Sequence, residues 1–169
     1  MRAVTKTSVT VWLALKESAT ITLTIHDSDS VIGQAIATAT VPATKIGPNL
    51  YIVAITASSF PAQFALGKLY FYRLSFATAS GSKDLVQATG AKDMTEFAYA
   101  PYQLPSFLLP PSNIEQVRFA LGSCRKTHTR SPDALAVLDD VLSASVNAPA
   151  ARPQVLMLGG DQIYAGRGR

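Results

Sequence analysis

A single cysteine, Cys124, stands in 169 residues. No disulfide can form within the chain, and cysteine usage leaves the redox compartment open. Charge is sparse: Asp, Glu, Lys and Arg make up 15% of the residues against 48% hydrophobic. That balance excludes wholesale disorder, which needs low hydrophobicity and high charge. No apolar run approaches the roughly 18 residues of a membrane-spanning helix. The segment behind Met1 lacks the apolar core of a signal peptide, because residues 9–15 are too short and too broken by threonine. As written, the sequence reads as a cytoplasmic chain, or as a secreted or periplasmic one if a leader precedes Met1. It also lacks a broad basic stripe. Net charge is +4, with Arg167 and Arg169 at the very end and one local cluster at Arg125, Lys126 and Arg130. That is too little for a nucleic-acid footprint, but it suits an anionic substrate. No internal repeat or low-complexity tract is present.

What is abundant is threonine, valine and alanine, and in the first half they favour β-structure. Ser8-Val-Thr-Val-Trp-Leu-Ala14 alternates with period two, Val9, Val11 and Leu13 facing one way and Thr10 and Trp12 the other. Thr20-Ile-Thr-Leu-Thr-Ile25 repeats the pattern, with Ile21, Leu23 and Ile25 inward. Further strands are expected at 31–41, 50–57 and 68–77. They are punctuated by Asp27-Ser-Asp-Ser30, Gly47-Pro-Asn49, Ser58-Ser59 and Gly67. This spacing predicts a small β-sandwich over residues 1–78. His26, beside Asp27 at a strand end, reads as a surface residue.

Residues 79–113 differ. Pro101, Pro105, Pro110 and Pro111 fix backbone angles and remove ladder donors. The stretch therefore reads as an extended linker, held down by Phe97, Tyr99, Tyr102, Phe107 and Leu108. Residues 114–169 read as one βαβ unit. Gln116-Val-Arg-Phe-Ala-Leu121 is the first strand. Ser131-Pro132-Asp133 is a helix start, with Ser131 as N-cap and Pro132 at the first helical position. Leu135, Leu138, Val141 and Leu142 give the helix an apolar face, while Asp139 and Asp140 read as solvated. Asn147 and Pro149 end the helix, and Gln154-Val-Leu-Met-Leu158 is the second strand. A lone crossover leaves apolar strand faces in water. The expectation is a chain cut short at Arg169, or a partner or second copy covering the unit by self-association.

The chemistry-bearing residues fall at the strand ends of this unit. Cys124 follows the first strand. Asp161 and Tyr164 follow the second, after Gly159 and Gly160, which let the backbone turn sharply. Ligands of open α/β sheets bind at the carboxyl ends of strands, so a thiol, a carboxylate and a phenol are expected on one edge. Arg125 and Lys126 place two cations beside the thiol. His128, one of two histidines, reads first as a solvated loop residue and second as a phosphate contact or acid. Cys124 to Arg130 also has the Cys-x5-Arg spacing of cysteine-dependent phosphatases, in which loop amides and the arginine cradle phosphate while the thiolate attacks. Its Arg-Lys-Thr-His-Thr interior holds no glycine to let every amide point inward.

Taken together, these residues resemble the PhoD-like metallophosphatases, the alkaline phosphatase D family. The matching stretches are Phe119-Ala-Leu-Gly-Ser-Cys-Arg-Lys126, Ser131-Pro-Asp-Ala-Leu-Ala-Val-Leu-Asp-Asp140, Arg152-Pro-Gln-Val-Leu156 and Gly160-Asp-Gln-Ile-Tyr-Ala165. Thr7-Ser-Val-Thr-Val-Trp-Leu13 and Tyr70-Phe-Tyr-Arg-Leu-Ser-Phe76 are similar to that family's N-terminal fibronectin-like domain. The resemblance implies a fibronectin- or immunoglobulin-like β-sandwich followed by the first βαβ unit of a truncated α/β metallophosphatase domain. It implies hydrolysis of phosphate monoesters and diesters with iron(III) and calcium. Cys124 and Tyr164 would be iron ligands, Asp161 would bridge metals, and Arg125 and His128 would meet the substrate phosphate. The metals would polarise the phosphoryl oxygen and supply a hydroxide nucleophile. The sequence departs from the pattern at Gly166, where many relatives are acidic. The family's downstream asparagine and histidine ligands have no counterpart, so this chain alone is expected to be inactive. The competing reading is a non-catalytic β-sandwich binding module.

Overall fold

The computed structural model describes residues 3–30, 34–124 and 133–160. It falls into two compact units, Met1–Leu109 and Pro110–Arg169, and most of its regular structure is antiparallel sheet. The first unit begins with β1 (Ala3–Val4), β2 (Ser8–Leu15), β3 (Thr20–His26) and β4 (Ala35–Pro42), followed by β5 (Thr44–Gly47), β6 (Leu50–Ser58) and β7 (Leu69–Thr78). After them come β8 (Gly81–Asp84), the short helix α1 (Leu85–Thr89), a 3-10 turn (Met94–Glu96) and β9 (Ser106–Leu108). One sheet has the order β1-β2-β6-β5 and the other β4-β3-β7-β8, with β9 also on β7. The two-residue β1 and the four-residue β5 were not foreseen. β4 runs from Ala35 to Pro42, and residues 31–33 of the strand expected there lie outside the described residues.

Alternation builds the core. Ile21, Leu23 and Ile25 on β3 are fully buried. In register they face Phe76, Leu74 and Tyr72 of β7 on one side, and Val41, Ala39 and Ala37 of β4 on the other. In the first sheet Val9, Val11 and Leu13 stand opposite Ala57, Ile55 and Val53. Residues from both sheets belong to one apolar cluster, so the two sheets share a single core. Threonines take the opposite face and pair across strands, Thr10 with Thr56 and Thr22 with Thr40, each at 2.9 Å. Trp12 points outward as alternation requires and is half exposed. An aromatic group fills one end of the core. Phe64 meets Tyr70 edge-on at 5.1 Å, and Tyr70 stacks on Phe107 at 5.8 Å. The Tyr70 hydroxyl accepts a 2.7 Å bond from the Ala65 amide.

The stretch after β7, expected to be a docked linker, packs against the first unit as far as Leu109. β8 pairs with the last residues of β7, and β9 with its first three, Leu69, Tyr70 and Phe71. Both therefore lie on the edge of β7 away from β3. A capping box starts α1: Asp84 accepts from the Gln87 amide at 2.8 Å, while Gln87 accepts from the Asp84 amide at 3.0 Å. The Asp29 carboxylate accepts from the amides of Gln103 and Leu104 at 2.7 and 2.8 Å. This clamp brings the segment around Tyr102 onto the outer face of β7, where Tyr102 packs on Phe71 at 4.9 Å.

His26 is buried, 4% exposed, against the expectation of a surface residue. It stands directly opposite Phe71, so the two share a face, and the docked segment that covers Phe71 belongs to that face. His26 and its neighbour Ile25 are both buried, on opposite faces of β3, and the β3–β4 register breaks between them. The His26 Nδ1 has no hydrogen-bond partner, a cost the surrounding packing has to offset.

In the second unit a 3-10 turn (Ile114–Gln116) leads to β10 (Phe119–Gly122), α2 (Ala134–Ala144) and β11 (Val155–Leu158). β10 and β11 pair in parallel. The first strand was expected from Gln116 to Leu121; it starts at Phe119, Gln116 belonging to the 3-10 turn, and it ends at Gly122. Asp133, not Ser131, caps α2, accepting from the Leu135 amide at 3.1 Å; Ser131 and Pro132 lie outside the described residues. The helix ends at Ala144, before Asn147, with Ser145 at its C-cap. Leu135, Leu138 and Leu142 are half-buried, whereas Val141 is exposed. Arg118 ties the unit together, its Nε donating to the Ala150 carbonyl and its amide to Gln154 Oε1, both at 2.7 Å. Phe119, Leu121, Leu156, Met157 and Leu158 remain exposed.

Two predictions test this architecture. Replacing Asp29 by Ala strands two amides and is expected to lower stability by about 2–3 kcal/mol in urea unfolding, with Asp29→Asn losing less because its amide oxygen still accepts. Burial raises the pKa of the Tyr72 phenol. The unfolded chain ionises this group near its ordinary value of about 10 while the fold holds it neutral. Stability is therefore intact below about pH 10 and falls as pH rises towards the folded-state value. Tyr72→Phe should lose less stability than the parent between pH 9 and 11 (approximate bounds set by that ordinary value).

Candidate functional site

The carboxyl ends of β10 and β11 meet. Gly122 aligns with Leu158 at the last step of the ladder, and pairing runs on beyond both strands. The Gly159 amide donates to the Gly122 carbonyl at 2.7 Å, and the Cys124 amide donates to the Gly160 carbonyl at 3.1 Å. The Ser123 hydroxyl donates to the same Gly160 carbonyl at 3.3 Å and lies 3.5 Å from the Cys124 sulfur. One carbonyl thus gathers both residues after β10 onto the residue just before Asp161.

One feature of the sequence allows this. Gly160 has φ of 115°, a conformation that side chains with a Cβ rarely adopt, so the chain can turn off the sheet there. At Gly122 an added Cβ would stand 3.4 Å from Leu158 Cδ2, in contact with the end of that side chain across the last ladder step. Cys124 itself takes φ of 56°, the one positive value at a non-glycine position among the described residues. Strain of this kind persists only where surrounding structure over-determines it; here the amide bond to Gly160 holds it. The thiol is exposed.

Of the residues singled out from sequence, Cys124 is therefore at the expected strand end, beside the turn that leads into Asp161. Asp161, Tyr164, Arg125, His128 and Arg130 lie outside the described residues. Among the described residues, no three His, Cys, Asp or Glu side chains form a metal-binding group. Asp139 and Asp140 are exposed on α2. The sequence reading missed Ser123, whose hydroxyl shares the Gly160 carbonyl; its place between Gly122 and Cys124 was the available signal. No described helix is long and apolar enough to cross a membrane.

Comparison of the chain with protein families, with curated proteins and with solved structures finds no match. The likeness to PhoD-like enzymes therefore rests on the quoted motifs themselves.

The strained backbone at Cys124 gives a local test. A left-handed conformation costs a non-glycine residue about 1–2 kcal/mol, and glycine's extra freedom in the unfolded chain returns about half of that. Cys124→Gly is expected to slow hydrogen exchange of the Gly159 amide about two- to fivefold, and Cys124→Ala to leave it nearly unchanged.

Proposed function

We propose that this chain carries the opening part of a metal-dependent phosphoesterase site of the PhoD-like kind, in an α/β domain that follows a fibronectin- or immunoglobulin-like β-sandwich. The observation that supports the reading is the 3.1 Å bond from the Cys124 amide to the Gly160 carbonyl. It sets a thiol beside the residue that precedes Asp161, at the carboxyl edge of a parallel pair, where α/β folds bind ligands.

The donor chemistry fits iron(III) better than calcium. Thiolate from Cys124, carboxylate from Asp161 and phenolate from Tyr164 make a mixed set suited to a ferric ion. Calcium takes roughly six to eight oxygen donors, and only Asp161 and Tyr164 bring oxygen, so calcium enters on the resemblance alone. When bound, the metals would polarise a phosphoryl oxygen and make a nucleophile available at neutral pH. Arg125 and His128 would hold phosphate oxygens through charge-assisted hydrogen bonds. Ser123 keeps the edge in register by donating to Gly160.

Titrating the purified chain with iron(III) nitrilotriacetate tests this directly. The expected result is a visible phenolate-to-iron absorption band that saturates near one equivalent, disappears in Tyr164→Phe and weakens in Cys124→Ser. Absence of any band, with no iron retained through gel filtration, overturns the proposal. Hydrolysis of p-nitrophenyl phosphate that persists in chelator and is lost in Cys124→Ser would instead establish the Cys124-x5-Arg130 chemistry.

A further inference from the structure

The two ends of the first unit's core are built differently. Phe64, Tyr70 and Phe107 fill one. At the other, beside the turn between β2 and β3, lies a cleft of about 660 Å³. That volume lies within the range of small-molecule sites, which are mostly apolar with a few polar groups that fix orientation. Leu13 and Leu15 of β2, Phe76 of β7 and Leu85 of α1 make its apolar walls. Ala19 and Ala88 also line it, and their short side chains leave the space open.

The polar groups at the rim define what could sit there. Thr78 and Thr89 contribute hydroxyls, but each already donates to a backbone carbonyl, Thr78 to Gly81 at 2.9 Å and Thr89 to Leu85 at 2.7 Å. Lys83 meets Glu17 at 2.8 Å, which neutralises both and ties β8 to the β2–β3 turn. Lys16 is the remaining charged residue of the lining. It is exposed and forms no ion pair among the described residues. An apolar cleft whose lining includes one exposed lysine outside any ion pair among the described residues is complementary to a molecule with an apolar body and a single anionic head.

The geometry points to a second binding site, independent of the phosphoesterase edge, for an amphiphilic carboxylate of the aliphatic-chain class. Its chain lies against Leu13, Leu15, Phe76 and Leu85, and its carboxylate meets Lys16. A ligand with a cationic head and the same chain is disfavoured by that ammonium.

The test uses the full chain with dodecanoate, and with dodecyltrimethylammonium as the opposite-charge control, both below micelle formation. Isothermal titration is expected to show saturable dodecanoate binding and weak or no binding of the cation. Lys16→Glu should raise the dodecanoate Kd about tenfold. Ala88→Trp, a change at an exposed position that fills the cleft, should abolish binding. Amide chemical-shift changes should centre on Leu13, Leu15, Phe76 and Leu85, a readout that needs no variant. Equal affinity for the two amphiphiles overturns the proposal, as does binding indifferent to both substitutions. So do shift changes confined to the exposed strands at Leu121 and Leu156, or the absence of saturable binding.

Discussion

The first unit depends on the burial of three residues of one strand. Ile21, Leu23 and Ile25 have strands on both sides and the opposite sheet in front. Truncating any one would remove contacts to three other elements, and cavities of this kind typically cost about 2–5 kcal/mol. A one-residue slip of β3 would turn all three isoleucine and leucine side chains to the threonine face. The register of β4 and β7 is therefore set by this strand, and through β7 so are the positions of β8 and β9. The Asp29 clamp and the Tyr102–Phe71 contact then follow. The buried His26 is a by-product of the same arrangement, an ordinary outward position on β3 whose face is later covered.

The second unit works on a different principle. A two-stranded parallel sheet has little core of its own, and its strands keep Leu121 and Leu156 in solvent. Among the described residues the contacts that join the two strands are local: the extension of the ladder past both strand ends and the Arg118 contacts behind them. Gly160, at φ of 115°, lets the chain turn as it leaves the sheet, and the facing residue Cys124 is held in a left-handed conformation.

The legibility of these features in sequence follows their range. β2, β3, β6 and β7 are long enough for alternation to declare them, and the inward and outward assignment of Val9, Val11, Trp12, Ile21, Leu23 and Ile25 is visible directly. β1 and β5 are too short to show a period. β8, α1 and β9 exist because β7 offers them an edge, a tertiary cause with no local signature beyond the Asp84–Gln87 capping pair. His26 misled because its face of β3, shared with Phe71, is covered by the segment around Tyr102, far along the chain. On the site side, the strand-end position of Cys124 could be read from Gly-Ser-Cys following an apolar run. The hydroxyl of Ser123 and the left-handed backbone of Cys124 could not, since both result from where the Gly160 carbonyl sits in space. The cleft beside the β2–β3 turn was equally hidden, being assembled from three separate stretches of chain.

The placement of β9 has a consequence for how the chain is made. Phe107 and Leu109 belong to the core cluster begun by Val9 and Val11, so the core's final wall is the last part of the unit to leave the ribosome. Until it emerges, Tyr70 lacks its stacking partner and the first residues of β7 present an unpaired edge. During that interval the nascent unit is open at one end and exposed to pairing with other chains. The speed of elongation through residues 79–109 then sets how long a growing chain carries that hazard.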